Sequence, residues 1–237
     1  MSGPRVWAGT SGFAFPEWRG AFYPPELPPD QFLSHYAQVL PTVEVNATFY
    51  RMPSEATLRA WAAQTPRAFR FALKAHRRIT HTKRLEDVDA ELRWAAERFG
   101  ALGDRLGPVL FQCPPSLRCD LGRLEGFLAA LPPLPAVAVE FRHPSWFQDA
   151  TYDLLRRHRV AVCAAEDEES CDPLVWTAPF GYWRLHRLRY DRPALEAWAG
   201  RAREAPVREL FCYFTHDSGP EAVEFARTLM ELAAGMS

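Results

Sequence analysis

Lysine is nearly missing from this 237-residue chain. Lys74 and Lys83 are the only two, so every other member of the 28 Lys and Arg residues is arginine. A base-composition bias accounts for the scarcity of lysine, but not for the two survivors lying so close together. Net charge is missing too. The 28 cations face 29 Asp and Glu residues, for a balance of -1, which excludes a generally basic nucleic-acid coat and an acidic disordered tail. No apolar run approaches the roughly 18 residues of a membrane span. The segment from Met1 to Gly12 has no signal-peptide core and reads as a first strand. The expectation is a cytoplasmic protein with no membrane partner. Cysteine is sparse and odd in number: Cys113, Cys119, Cys163, Cys171 and Cys212, with no Cys-x-x-Cys. That pattern speaks against structural zinc and against a disulfide framework. Cys163 and Cys212 sit in apolar strand-like segments, as reduced core cysteines do. There is no Gly-x-Gly-x-x-Gly, no phosphate loop and no His-Glu-x-x-His, so no cofactor is expected.

Proline, by contrast, is plentiful, with 21 residues, about 9% against a usual 5%. Pairs such as Pro24-Pro25 and Pro132-Pro133 fall between apolar segments, where they act as punctuation. No linker or low-complexity stretch divides the chain, so residues 1–237 are read as one domain.

Eight short apolar segments read as strands: Arg5–Gly9, Thr42–Asn46, Phe69–Lys74, Pro108–Gln112, Ala136–Phe141, Val160–Ala165, Tyr182–His186 and Glu209–Phe214. Amphipathic stretches alternate with them: Gln31–Val39, Glu55–Gln64, Leu85–Leu102, Leu121–Leu131, Ala150–Arg157, Pro193–Arg203 and Pro220–Ala234. Ser54 suits an N-cap for the second of these. Eight strand–helix units in a chain of about this length predict an α/β fold, a single TIM (β/α)₈-type barrel. A doubly wound open sheet is the alternative. One link breaks the rule. Between strands six and seven run Glu166–Pro173 and then Leu174–Gly181, with no helical pattern. An irregular or missing helix is expected there, with the acidic run as a solvated loop.

Strand parity then points to a site. Successive residues of a strand face opposite sides. Val43 and Val45 share one face of the second strand, Glu44 and Asn46 the other. Phe69, Phe71 and Leu73 oppose Arg70, Ala72 and Lys74. Val137, Val139 and Phe141 oppose Glu140 and Arg142, and Trp183 and Leu185 oppose Tyr182, Arg184 and His186. Each strand has one apolar face for helix packing and one polar residue near its C-terminal end. An open parallel sheet, buried on both faces, has little use for such residues. A barrel places them at its C-terminal mouth, where barrel enzymes keep their active sites. The competing reading is a buried ion-pair network that only holds the barrel together.

Glu44, Lys74, Glu140 and His186 are the candidate catalytic residues. The two glutamates suit an acid/base pair if neighbours push their pKa values apart. His186 suits a proton shuttle, and Lys74 an anion clamp or, when desolvated, a Schiff-base nucleophile. Arg142 and Arg184 suit bidentate binding of carboxylate or phosphate. The metal ligands on offer would lie among three cations, so no metal is assigned. Gly9-Thr10-Ser11-Gly12 suits a small anion-binding nest. From Ala56 to Leu85 there is no acid, and Arg67–Arg84 carries a run of cations. This is either a nucleic-acid or phosphate rim or a solvated loop paired with Glu86, Asp87, Asp89 and Glu91. Trp18, Phe22, Tyr23, Phe49, Tyr50 and Trp146 follow strands, and either stack on a ligand or cap the rim.

These residues together resemble a known family. Gly9–Gly12 with Trp18 and Phe22-Tyr23-Pro24, Val43–Tyr50 with Pro53, and Phe71, Lys74 and Ile79-Thr80-His81 match its first three strand signatures. Gly107-Pro108 with Gln112–Pro115, Glu140–Trp146, Tyr182 with Arg184 and His186, and Tyr213-Phe214 match the later ones. The ordered set resembles the domain of unknown function 72 family over almost the whole chain. The resemblance implies a TIM barrel without an established activity. With Asn46, Arg142 and Arg184 from strand parity and Tyr50 and Trp146 from the aromatics, the substrate-binding candidates also take in Thr48, His81, Gln112, His143 and Tyr213 from these motifs. Members have been likened to endonuclease IV and to sugar-isomerase-like barrels, an analogy of fold. The family often has Gly where this chain has Arg187, and Asn-Asn where it has Thr215-His216. The expectation is an enzyme acting on an anionic small molecule by acid/base chemistry without a tightly bound metal. The alternatives are a nucleic-acid-binding or repair-type protein using the basic rim, and a non-catalytic binding barrel.

Overall fold

In the computed structural model, residues 3–235 are described. Eight strands run in one direction and form one sheet: β1 (Arg5–Thr10), β2 (Thr42–Val45), β3 (Arg70–Lys74), β4 (Leu106–Gln112), β5 (Val137–Glu140), β6 (Ala161–Glu166), β7 (Phe180–Leu185) and β8 (Glu209–Phe214). The ladder order is β1-β8-β7-β6-β5-β4-β3-β2, which curls into a nearly closed TIM-like barrel. Helices between strands are α1 (Phe32–Val39), α2 (Ala47–Tyr50), α3 (Glu55–Ala63), α4 (Asp89–Phe99), α5 (Leu121–Ala129), α6 (Asp149–His158) and α7 (Arg192–Glu204), and α8 (Glu221–Ala233) follows β8. Three of the helices start where a side chain accepts a free N–H group of the first turn. Ser54 accepts from Thr57 N at 3.1 Å, Asp120 from Arg123 N at 3.0 Å, and Asp191 from Ala194 N at 2.9 Å. α4 starts later than periodicity implies, at Asp89, because Arg84, Leu85 and Asp87 take positive φ and turn the chain first. No helix among the described residues is long and apolar enough to cross a membrane.

The seam of the barrel lies between β1 and β2, which share no ladder. A side chain joins them instead. The Tyr36 hydroxyl of α1 accepts from Thr10 N at 2.9 Å and donates to Thr42 O at 3.0 Å. Gly9 permits the close approach: a Cβ there would stand 2.1 Å from Thr42 O.

Inward-facing residues divide the interior into a packed floor and a charged top. Trp7 stacks on Phe211 at 5.8 Å, and Tyr182 lies 5.3 Å from Tyr213. Ala72, Leu110, Ala138 and Cys163 fill the same inner cluster. Above them, one residue further along the same parity, stand Glu44, Lys74, Gln112, Glu140 and Arg184, all buried. The outward faces of the strands join the helices in a separate apolar cluster.

No helix links β6 to β7. Pro173 sits in the middle of this link and Pro179 at its end, and proline removes the backbone donors a helix needs. Thr177 ties the link back to β6, donating to Val160 O at 2.7 Å and accepting from Val162 N at 2.8 Å. Trp176 packs 6.1 Å from Trp183, covering sheet that a helix would otherwise cover. The acidic run before it splits in two. Glu166 is buried and accepts from Tyr190 and Trp198, whereas Glu168 and Glu169 are exposed.

Candidate functional site at the barrel mouth

Arg184, at the end of β7, holds two buried carboxylates at once. Its Nε and Nη2 donate to Glu44 at 3.1 and 2.9 Å. Its Nη1 donates to Glu140 at 2.8 Å. Tyr182 adds a 2.7 Å bond to Glu44. Gln112 and Arg142 donate to the other oxygen of Glu140 at 2.8 and 2.9 Å. Glu44, Glu140 and Arg184 are 0%, 1% and 3% exposed. Burial works against ionisation of both glutamates, but the Arg184 charge overcomes it. Glu44 is held below the ordinary 4.5, and Glu140 falls to about 2. An acid/base pair would need these two pKa values pushed apart; instead both go down, because one guanidinium serves both carboxylates. They are fixed anions. Among Asp and Glu residues the upward shift falls on Asp172, raised by burial to about 6.

Lys74 is the contrasting member. It is 9% exposed, yet no carboxylate oxygen among the described residues lies within 4 Å of its amine. The amine sits 4.4 Å over the Phe49 ring. Burial and the neighbouring Arg184 charge lower its pKa to about 8, against the pull of Glu44 and Glu140. His186 just past β7 is lowered by burial and Arg184 to about 4, so its ring is neutral at physiological pH. Its Nε2 and the Asn46 Oδ1 are buried without a hydrogen-bond partner.

A cavity of about 550 Å³ opens over this set. Lys74, Gln112, Arg142, Arg184 and His186 line it from the strand ends. Asn46 and Tyr50 line it from the turn after β2. Asn46 itself is not the last strand residue, as parity implied, but the helical residue that opens α2. Glu44 and Glu140 lie behind Arg184, outside the lining. Sequence reasoning missed the rim residues Phe15 and Trp61, and had Ser11 only as part of a nest and His216 only as a departure from the family pattern. Ser11 Oγ lies 3.1 Å from His216 Nδ1, and His216 stacks on Phe15 at 4.9 Å. The Gly9–Gly12 motif was a signal for this corner; nothing local marked Trp61.

Five substrate-binding candidates fall outside the lining. Thr48 is buried and donates to Lys74 O at 2.6 Å, fixing the turn against β3. Tyr213 bonds Thr42 Oγ1 at 2.8 Å inside the barrel. Trp146 is buried, donates to Leu117 O at 2.7 Å and stacks on Phe141. His143 caps its own turn by accepting from Ser145 N at 3.2 Å. His81 meets Phe49 edge-on at 4.9 Å, behind Lys74. Trp18 and Tyr23 are likewise core residues rather than stacking platforms. Tyr50 alone of those aromatics is wide open, at 69% exposed.

The basic stretch does not make one rim. Arg70 lies at the opposite end of the barrel, with its guanidinium 5.4 Å from the Trp7 ring, and Arg67 pairs with Asp104. Arg78 and Lys83 both pair with Glu91, whose pKa they hold down at about 2. No group of three or more His, Cys, Asp or Glu side chains gathers to hold a metal ion among the described residues.

A family model described as "Protein of unknown function DUF72" matches residues 7–236. The chain belongs to the DUF72 family. It is 26% identical to the UPF0759 protein YunF of Bacillus subtilis (strain 168), with 90% of each chain covered. A crystal structure of a DUF72 family protein from Thermotoga maritima MSB8 superposes with a TM-score of 0.83 at 28% identity, covering 95% of this chain and 99% of the other. One from Enterococcus faecalis V583 gives 0.80 at 18% identity, covering 98% and 96%, which speaks to fold alone. These names carry no activity, so function has to be argued from the site.

Proposed function

We propose that this DUF72 chain binds, and acts as an enzyme upon, a small anion bearing carboxylate or phosphate at the barrel mouth. The observation that carries the reading is the unpaired Lys74 amine. Arg184 is spent on two carboxylates, and Arg142 is tied to Glu140 through Nε alone. Its Nη atoms and the Lys74 ammonium are left as donors facing a cavity large enough for a metabolite. Glu44 and Glu140 position these cations and do not trade protons. Proton transfer falls to Lys74 and His186, which change charge nearer neutrality.

The test is calorimetric titration with oxalate and with inorganic phosphate. Lys74→Met removes a charge-assisted hydrogen bond, about 1.5–3 kcal/mol, so affinity drops roughly 10- to 100-fold. Wild-type affinity falls as pH rises through about 8, where Lys74 loses its proton. Binding near that pH draws in a proton, because the bound anion raises the Lys74 pKa. Absence of binding for both anions, or affinity indifferent to Lys74→Met, overturns the reading. The nucleic-acid alternative has less support, since its proposed rim is split between two barrel ends and Glu91 neutralises part of it.

A further inference from the structure

A buried lysine without a carboxylate partner is the arrangement that keeps an amine available as a nucleophile. Lysine can shed its proton and then offers a lone pair, which arginine never does at physiological pH. Lys74 stands at the end of β3 inside the mouth. Its neighbours there are Arg142, Arg184 and His186, with His186 Nε2 unpartnered. Thr48 holds its backbone carbonyl at 2.6 Å, and Phe49 supports its amine from one side. The position is therefore fixed from both ends, while the cavity side stays open.

We propose that Lys74 forms an imine with the carbonyl carbon of a keto acid or aldehyde acid whose carboxylate is held by Arg142. This rests on the anion site described above and names its substrate class. The Nζ lone pair bonds to the carbonyl carbon as the carbonyl π pair moves onto oxygen. A proton passes from nitrogen to that oxygen, giving a carbinolamine. The C–O bond then breaks, the second nitrogen hydrogen is lost, and C=N forms. Both amine hydrogens leave with the carbonyl oxygen as one water. His186, neutral and on the same cavity wall, is the group available to carry the proton between nitrogen and oxygen.

The near absence of lysine makes the test clean, because Lys83 is the only other ε-amine. Lys83 lies outside the cavity lining, is 28% exposed and pairs with Glu91 at 3.0 Å. Purified protein is incubated with pyruvate or with glyoxylate, reduced with borohydride, and read by intact mass and peptide mapping. One reduced adduct is expected, on Lys74 in preference to Lys83 and the α-amino group. It persists in Lys83→Arg and disappears in Lys74→Arg. The trapping rate rises with pH through about 8 as the amine deprotonates. That titration is set by Glu44, Glu140, Arg142 and Arg184 around the amine, with His81 and His186 neutral near it. No adduct at Lys74 with either probe, or equal labelling of both lysines, overturns the imine. If oxalate still binds in that case, the anion site stands and only the covalent step fails. If oxalate binding is absent as well, both fail. Mapping on wild-type protein decides the matter even if Lys74→Arg does not fold.

Discussion

Arg184→Met removes the one group on which two buried carboxylates depend. Without it Glu44 keeps only the Tyr182 hydroxyl, and Glu140 keeps Gln112 and Arg142. Removing one partner of a buried ion pair costs about 3–5 kcal/mol, because a charge is left in a low-dielectric site. Here Glu44 loses its only ion-pair partner, while Glu140 retains one. The expected loss is therefore about 3–5 kcal/mol in total, not twice that. Against a usual stability of about 5–15 kcal/mol, the variant is weakened rather than abolished. Urea unfolding measures it, and the pH dependence identifies its cause.

The two proteins have opposite slopes. In the wild type both glutamates titrate below the ordinary 4.5, Glu140 at about 2. Their contribution is full above about 4.5 and is lost as pH falls toward 2. In Arg184→Met, burial acts on Glu44 with no guanidinium to oppose it, so its folded pKa rises above the unfolded one. The folded variant then binds the extra proton, and its stability grows as pH falls from 7 toward the ordinary carboxyl range. The gap between the two proteins narrows on acidification. A triple variant, Glu44→Gln with Glu140→Gln and Arg184→Met, regains most of the loss, since replacing a whole buried set is close to neutral. A loss below about 1 kcal/mol, or parallel pH slopes, refutes the claim that these carboxylates are anions held by Arg184.

Two further predictions concern the seam. Tyr36→Phe leaves Thr10 N and Thr42 O without their shared hydroxyl; the cost is about 1–3 kcal/mol, and amide exchange at Thr10 speeds up. Gly9→Ala drives a Cβ to 2.1 Å from a backbone oxygen of β2, where nothing flexible can yield. A loss of at least about 1–3 kcal/mol is expected, read as a fall in melting temperature.

Strand parity exposed the top of the barrel because each strand repeats the same rule. Glu44, Lys74, Glu140 and Arg184 were legible from alternation alone, since a period of two needs no knowledge of neighbours. The rim was legible only at the Gly9–Gly12 turn. Ser11, Phe15 and His216 meet through the turns after β1 and β8, and Trp61 arrives from α3. Which of these side chains face inward depends on loop conformations that follow no period. Thr48, Trp146 and Tyr213 sit in strong motifs for a different reason. They bond backbone or packed side chains inside the wall, so they hold the site's shape from outside the cavity. The missing helix was readable because Glu166–Pro173 and Leu174–Gly181 carry no helical pattern. The way Thr177 and Trp176 fill its place was not, because those contacts are tertiary.

Pairing also decided how the charged set divides, and residue type alone did not reveal it. Six candidates of similar appearance in the sequence separate once their partners are known. Glu44, Glu140 and Arg184 satisfy one another and are sealed from water, so their charges are fixed across the physiological range. Lys74 is poorly solvated and unpaired, so its charge is not, while His186, just as poorly solvated, stays neutral throughout that range. Arg142 spans the two groups, with Nε on Glu140 and its outer nitrogens toward the cavity. A purely structural network would gain from arginine at the third strand end, since a guanidinium keeps its proton and can pair with two carboxylates at once. The chain uses arginine almost everywhere else. It keeps at this position an amine whose proton can be lost near pH 8, which is what the proposed exchange with a ligand in the cavity requires.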